Sequence, residues 1–267
     1  MNIALRVVAF WLAYAATFLG LGLVLGLVPP AGRMLAAGLL ITTAAMALTI
    51  LFTRSEGLTL AAAGADWAKG SLTRFATGLG FGVAMVALLI GLSRATLGPI
   101  AFVRNTGADA SPLTLMFVTF VALSAGEELG FRGYPFYRLK ERYGIVSAQI
   151  IVALAFAVYH MLQGWPPLNA LVGTTAGSML FAFAALASRG LAFPIGVHAA
   201  WNAASWLVGM KDETGYWRMA LANQPSFFAG AAVYLTVFGA AMLALWWWMG
   251  RVERSAHLPD VDSFQTP

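Results

Sequence analysis

Few residues in this 267-residue chain can do proton chemistry, and they fall in unexpected places. The stretch "SAGEELGFRGYP" (124–135) sets Glu127, Glu128 and Arg132 directly after "LTLMFVTFVAL", eleven residues without a charge. Of three histidines, His160 in "FAVYH" and His198 in "HAAWN" lie in strongly apolar runs, and His257 lies near the C-terminal end. Ionisable groups inside membrane spans cost about 2.5–3.5 kcal/mol each on insertion scales, and they normally face the interior of a bundle.

Helical geometry divides the work between the glutamates. Glu128 and Arg132 are spaced i,i+4, so they share a face and can pair. Glu127 is rotated about 100° from Glu128, which makes it the freer carboxylate. Phe156 with His160, and His198 with Asn202, are also four apart and so share faces. Each feature alone has a structural explanation. Charges at a helix end can snorkel, and a His–Asn pair can be interhelical glue worth about 0.6 kcal/mol per bond.

Together the groups supply a carboxylate, an imidazole and two donors, which suits attack by water on an amide. Glu127 and His160 could hold and deprotonate the water. His198 and Asn202 could donate to the oxyanion; losing one such donor typically costs about 10²–10³ in rate. Glu128 and Arg132 read as a structural pair. Ser124, Ser178 and Ser205 lack a G-x-S-x-G elbow and read as packing residues. The chain has no cysteine, which excludes a thiol nucleophile, disulfides and thiolate metal ligands. Glu127, His160 and His198 could instead form a two-histidine, one-carboxylate zinc set. H-E-x-x-H is absent and the three residues come from separate helices, so no metal and no other cofactor is expected.

The elements that must position these residues follow from composition. The chain is 60% hydrophobic and only 10% charged, against about 25% charged in soluble domains. Runs at 7–28, 34–52, 75–93 and 227–249 reach the about 20 residues needed to span a bilayer. Four further spans, interrupted by polar residues, fall near 112–137, 145–163, 168–187 and 191–210. The expected fold is all-α, a polytopic membrane bundle of about eight transmembrane helices. Residues 1–110 hold the first three helices and their loops, and 111–210 a catalytic four-helix core. Residues 211–250 hold the last loop and helix, and 251–267 a disordered cytoplasmic tail.

The first apolar run is too long for a cleavable signal, whose core is roughly 7–15 residues. Segment 55–74 is too mixed to span and suggests a loop at the interface, where Trp67 could anchor. "GTTAG" (173–177) is a small-xxx-small pattern suited to helix packing. Cytoplasmic loops collect Lys and Arg. With both termini inside, ten basic residues are cytoplasmic against five outside. The net charge of +5 is thereby explained without nucleic acid. The expected partners are membrane lipid and a peptide or membrane-protein tail as substrate. No internal repeat supports a transporter, although buried Glu and His also build proton relays.

"EELGFR" (127–132), "FAVYH" (156–160) and "HAAWN" (198–202) resemble, in order and placement, the motifs E-E-x-x-x-R, F-x-x-x-H and H-x-x-x-N of the CPBP family. These are intramembrane glutamic endopeptidases that include the type II CAAX prenyl proteases. "FRGYPFYRL" resembles the usual continuation of the first motif, and the resemblance covers about 110–206. It implies a metal-independent endopeptidase near the cytoplasmic membrane face. Glu127 and His160 would activate water, His198 with Asn202 would form the oxyanion hole, and Glu128, Arg132 and Phe156 would organise the site. Two departures are small: Gln163 stands where relatives often carry Asn, and "ASRGLAF" precedes the third motif. The Ala- and Gly-rich composition points to a bacterial inner membrane, where a prenylated substrate is not expected. A non-catalytic membrane scaffold that keeps these residues is the contrasting class.

Overall fold

The computed structural model describes residues 2–106, 113–211, 214–223 and 225–256. Helices α1 (Ile3–Leu25), α2 (Arg33–Ser55) and α3 (Ser71–Leu97) come first. They are followed by α4 (Leu113–Arg132) and α5 (Tyr134–Leu162). A short piece, α6 (Pro167–Asn169), leads through a π-type turn at Ala170–Thr174 into α7 (Thr175–Ser188). Then come α8 (Ala192–Leu207) and α9 (Phe227–Ala256). This is a polytopic helical bundle, as composition requires. Among the described residues, six stretches are long and apolar enough to cross a membrane. One of them, Leu113–Leu162, contains both α4 and α5, while α8 at 16 residues is below that length.

Burial separates a lipid-facing shell from the working helices. Only 17% of the apolar window of α1 is buried, against 56% of that in Pro167–Ser188. Leucines 12, 19 and 23 of α1 point outward, as expected where the solvent is hydrocarbon. The buried side chains form two main clusters. One gathers Phe10, Tyr14, Phe131, Tyr134, Phe156 and Tyr159; the other gathers Met85, Leu89, Phe181, Phe193 and Phe238.

Three boundaries differ from the sequence expectation. The span placed at 112–137 stops at Arg132, because Gly133 leaves the helical region and Pro135 starts the next helix. Helix α5 is itself broken at Gly144, whose φ of 82° favours glycine. The segment before that break is helical and buried through Tyr134, Phe136 and Leu139. At the other end, α9 continues to Ala256, so the first residues of the expected tail are helical. His257 and the remaining tail lie outside the described residues. Two loops also pair: β1 (Ile100–Arg104) and β2 (Trp217–Leu221) form an antiparallel ribbon with Phe102 opposite Met219.

The other end of the bundle is tied by charge. Glu56, just past α2, accepts hydrogen bonds from the Tyr134 hydroxyl and from Arg138 (2.6 Å), with Arg6 at 3.7 Å. Burial pushes the Glu56 carboxyl up, but these hydrogen bonds and the two guanidinium charges outweigh it and hold the carboxyl below its usual range.

Close helix approaches occur elsewhere than in "GTTAG". A Cβ on Gly173 would meet nothing within 4 Å, and one on Gly177 would make only ordinary contact. The tight crossings are α3 on α8 and α2 on α4. Side chains at Gly78 and Gly82 would strike the carbonyls of Phe193 and Val197, and one at Gly196 would strike that of Phe75. On α4, Gly126 faces Ile41 and Thr42, and the Thr42 hydroxyl donates to the Ala122 carbonyl at 2.5 Å. Without a hydrophobic drive between helices in lipid, such backbone contact carries association. Gly196→Val should therefore lower stability by about 1–3 kcal/mol and displace His198, two residues on. Gly80→Ala, in open space, should be neutral or stabilising by up to about 1 kcal/mol. Thermal unfolding of both variants in detergent checks this.

Candidate active site

The last turns of α4 carry Glu127, Glu128 and Arg132, and α2 and α1 fix that helix from outside. Gly126 lets α2 approach, and the Tyr14 hydroxyl donates to the Gly126 carbonyl at 3.2 Å. The Trp11 indole donates to the Gly130 carbonyl at 3.1 Å. Both carbonyls flank the glutamate pair, so α1 acts as a brace.

Glu128 and Arg132 are both 0% exposed and pair at 3.5 Å. Glu128 does more than the helical spacing predicted. Its Oε1 also lies 2.8 Å from Nδ1 of His198, seventy residues along the chain. A carboxylate held by a guanidinium can only accept, so the ring donates from Nδ1. The other ring nitrogen, Nε2, lies 3.6 Å from Glu127 Oε2. His198 thus stands between the two carboxylates. Glu127 keeps 15% side-chain exposure, the more accessible of the pair.

Two phenylalanines, one from each main buried cluster, hold these groups. Phe181 of α7 stacks on the His198 ring at 4.3 Å and 17°. Phe156 of α5 meets the same ring edge-on at 6.5 Å and lies under the Arg132 guanidinium at 4.2 Å. Phe156 also contacts the His160 ring at 4.4 Å. Cation–π contact with desolvated aromatic faces is worth roughly 2 kcal/mol. It gives a buried guanidinium a partner where hydrogen bonds are scarce.

His160 is oriented by its own helix. Its Nδ1 lies 2.9 Å from the Phe156 carbonyl. A carbonyl only accepts, so Nδ1 carries a proton, and in the neutral ring Nε2 presents the lone pair. Trp165 closes edge-on against the ring at 5.2 Å. Asn202, one turn beyond His198, is half-buried, and its Oδ1 accepts from Lys211 Nζ at 2.9 Å.

The structure therefore joins Glu127, Glu128, Arg132 and His198 through polar contacts. Phe156 links His160 to that group, while Asn202 is held by Lys211. Phe181, Trp165 and Lys211 were not foreseen. Phe181 and Trp165 look like ordinary core and interfacial aromatics in sequence, and only tertiary packing gives them a site. The buried hydroxyls of Ser124, Ser178 and Ser205 have no hydrogen-bond partner among the described residues. Among the described residues no three of His, Cys, Asp or Glu are grouped to hold a metal ion.

With this geometry in view, the comparison with known families is decisive for one segment. Residues 109–204 match the family described as Type II CAAX prenyl endopeptidase Rce1-like. That segment is similar to the Rce1-like family. It holds all three motifs, from Glu127 to Asn202, so the resemblance seen in the motifs stands over the residues that carry it. The Rce1-like family is a protease family, and the apolar helices around the segment make the chain an integral membrane protein. No curated protein matches the chain. The Rce1-like segment takes in α4, α5, α7 and most of α8. Helices α1, α2 and α3, which brace it, lie outside the match, as does Lys211.

Proposed function

We propose that this protein is an intramembrane endopeptidase that hydrolyses a peptide bond without a metal, at a site walled by α4, α5, α7 and α8. The observation that carries the reading is His198 held between Glu128 at 2.8 Å and Glu127 at 3.6 Å, with the second imidazole, His160, presenting a bare nitrogen. Glu127 and His160 Nε2 take a proton from water, and the oxygen attacks the substrate carbonyl carbon. His198 and Asn202 donate to the resulting oxyanion. The C–N bond then breaks, and the proton held by the base passes to the leaving amine, giving an acid and an amine.

The geometry adds a condition to the role of His198. With Nδ1–H committed to Glu128, Nε2 donates only when the ring carries its second proton.

A peptide or membrane-protein tail is the substrate class, cut near the cytoplasmic face with both termini of the protein in the cytoplasm. An apolar recess of about 390 Å³ between α3, α4 and α8, lined by Val83, Phe117, Ala203 and Trp206 among others, adjoins the helix bearing His198 and Asn202. It supports an apolar substrate segment.

The test is cleavage of a quenched fluorescent peptide library, some members carrying a lipidated cysteine, by detergent-purified protein with and without a strong chelator. Cleavage unchanged by chelation is the expected result. Loss on chelation, restored by zinc, would overturn the metal-free mechanism and favour a zinc site at Glu127, His160 and His198. Absence of cleavage across the library would favour the scaffold class.

A further inference from the structure

The contact between Asn202 and Lys211 decides something that helix α8 alone leaves open. A carboxamide has an accepting end and a donating end, and only the donating end can serve an oxyanion. An isolated Asn202 could present either. Lysine's ammonium has three donors and no acceptor, so at 2.9 Å it can meet only the Oδ1 end of Asn202. The Nδ2 amino group is then turned away from Lys211. Asn202 shares its helical face with His198, one turn away, and Nδ2 is the end that Lys211 leaves to serve that face.

Lys211 is placed by a built loop. Helix α8 ends at Leu207, and Gly209 adopts φ 77° against the strand β2 backbone at Trp217. The Met210 amide returns to the Ser205 carbonyl at 2.8 Å, the Trp206 indole donates to the Thr214 hydroxyl at 2.9 Å, and Asn105 next to β1 donates to the Gly215 carbonyl at 3.0 Å. The chain thereby folds back along the last turns of α8 instead of leaving the bundle. The Lys211 ammonium also lies 5.6 Å from the Phe120 ring of α4, the helix that carries the glutamates.

We infer that Lys211 is a positioning residue of the reaction, fixing the Asn202 carboxamide with its amino end toward the substrate and adding positive charge behind it. This rests on the protease reading above. Methionine at 211 keeps length and removes the donor; arginine keeps the donor.

With a cleaved peptide in hand, Lys211→Met should lower kcat by about tenfold to a hundredfold with KM within about twofold, since it misorients a donor used in the transition state. Lys211→Arg should stay within about threefold of wild type. In the cycle with Asn202→Ala, the double variant should be no slower than Asn202→Ala alone. Additive losses, or a KM change alone, would overturn the proposal. A readout independent of activity accompanies these: the side-chain amide signals of Asn202 in protein labelled with ¹⁵N-asparagine, assigned by their loss in Asn202→Ala. They should shift or broaden in Lys211→Met and be preserved in Lys211→Arg. Unchanged signals in Lys211→Met would sink the inference. If wild type cleaves nothing beyond a Glu127→Gln control, it is the protease reading that fails, and the amide signals still decide whether Lys211 orients Asn202.

Discussion

Glu127→Gln should leave the protein folded and stop it cutting. The side chain is the accessible member of the pair at 15% exposure, and its polar neighbour is His198 at 3.6 Å. Removing its charge therefore costs little packing and leaves the buried Glu128–Arg132 pair in place. Its proposed task is to accept a proton from water, and glutamine cannot. General-base catalysis contributes typically 10²–10⁴-fold, so kcat/KM should fall by about that factor while the unfolding midpoint moves little. His160→Gln should fall in the same range, because it removes the lone pair that the Phe156 carbonyl leaves exposed at Nε2. If Glu127→Gln cleaves at the wild-type rate, the water is activated elsewhere. His198 with Glu128 would then be the next pair to test. Parallel thermal unfolding separates lost chemistry from lost fold.

How far the sequence led can be judged from these same residues. The i,i+4 spacing of Glu128 and Arg132 predicts a pair, and the pair is there at 3.5 Å with both side chains buried. The 100° turn between the glutamates predicts different exposure, and Glu127 is the more open of the two. Periodicity and spacing act within one helix, so they stop at its surface. That Glu128 also takes Nδ1 of His198 depends on how α4 crosses α8. Each of those helices is fixed from outside, α8 by α3 through glycines at 78, 82 and 196 and α4 by α2 through Gly126, and no single-helix pattern reveals those backbone contacts. The same limit hid Phe181, which has no polar atom to draw attention. It also hid the β1–β2 ribbon, whose strands are more than a hundred residues apart. The break at Gly133 was visible in principle from Gly133 and Pro135, and the apolar run around them masked it.

Glu128→Gln should behave in the opposite way to Glu127→Gln and lose the fold first. It would leave the Arg132 guanidinium, 0% exposed, without its counter-charge in the middle of a membrane bundle. Breaking a buried pair by removing one partner costs about 3–5 kcal/mol, because the remaining charge is uncompensated. Phe156 and Phe181 at 4.2 and 5.4 Å soften that penalty through their ring faces, but they do not replace a carboxylate. Arg132→Met should be costly for the converse reason, since it leaves the Glu128 carboxylate with only the His198 ring. The double variant Glu128→Gln/Arg132→Met removes both charges together, and replacing a whole buried pair is often neutral or stabilising. It should therefore recover most of the unfolding midpoint lost in either single variant. Activity should not return with it, because His198 loses the charged acceptor that commits its Nδ1 proton and aims Nε2 toward Glu127. Stability restored without turnover would make the pair the support that sets the His198 ring. A double variant that recovers both would show that Glu128 serves only the fold.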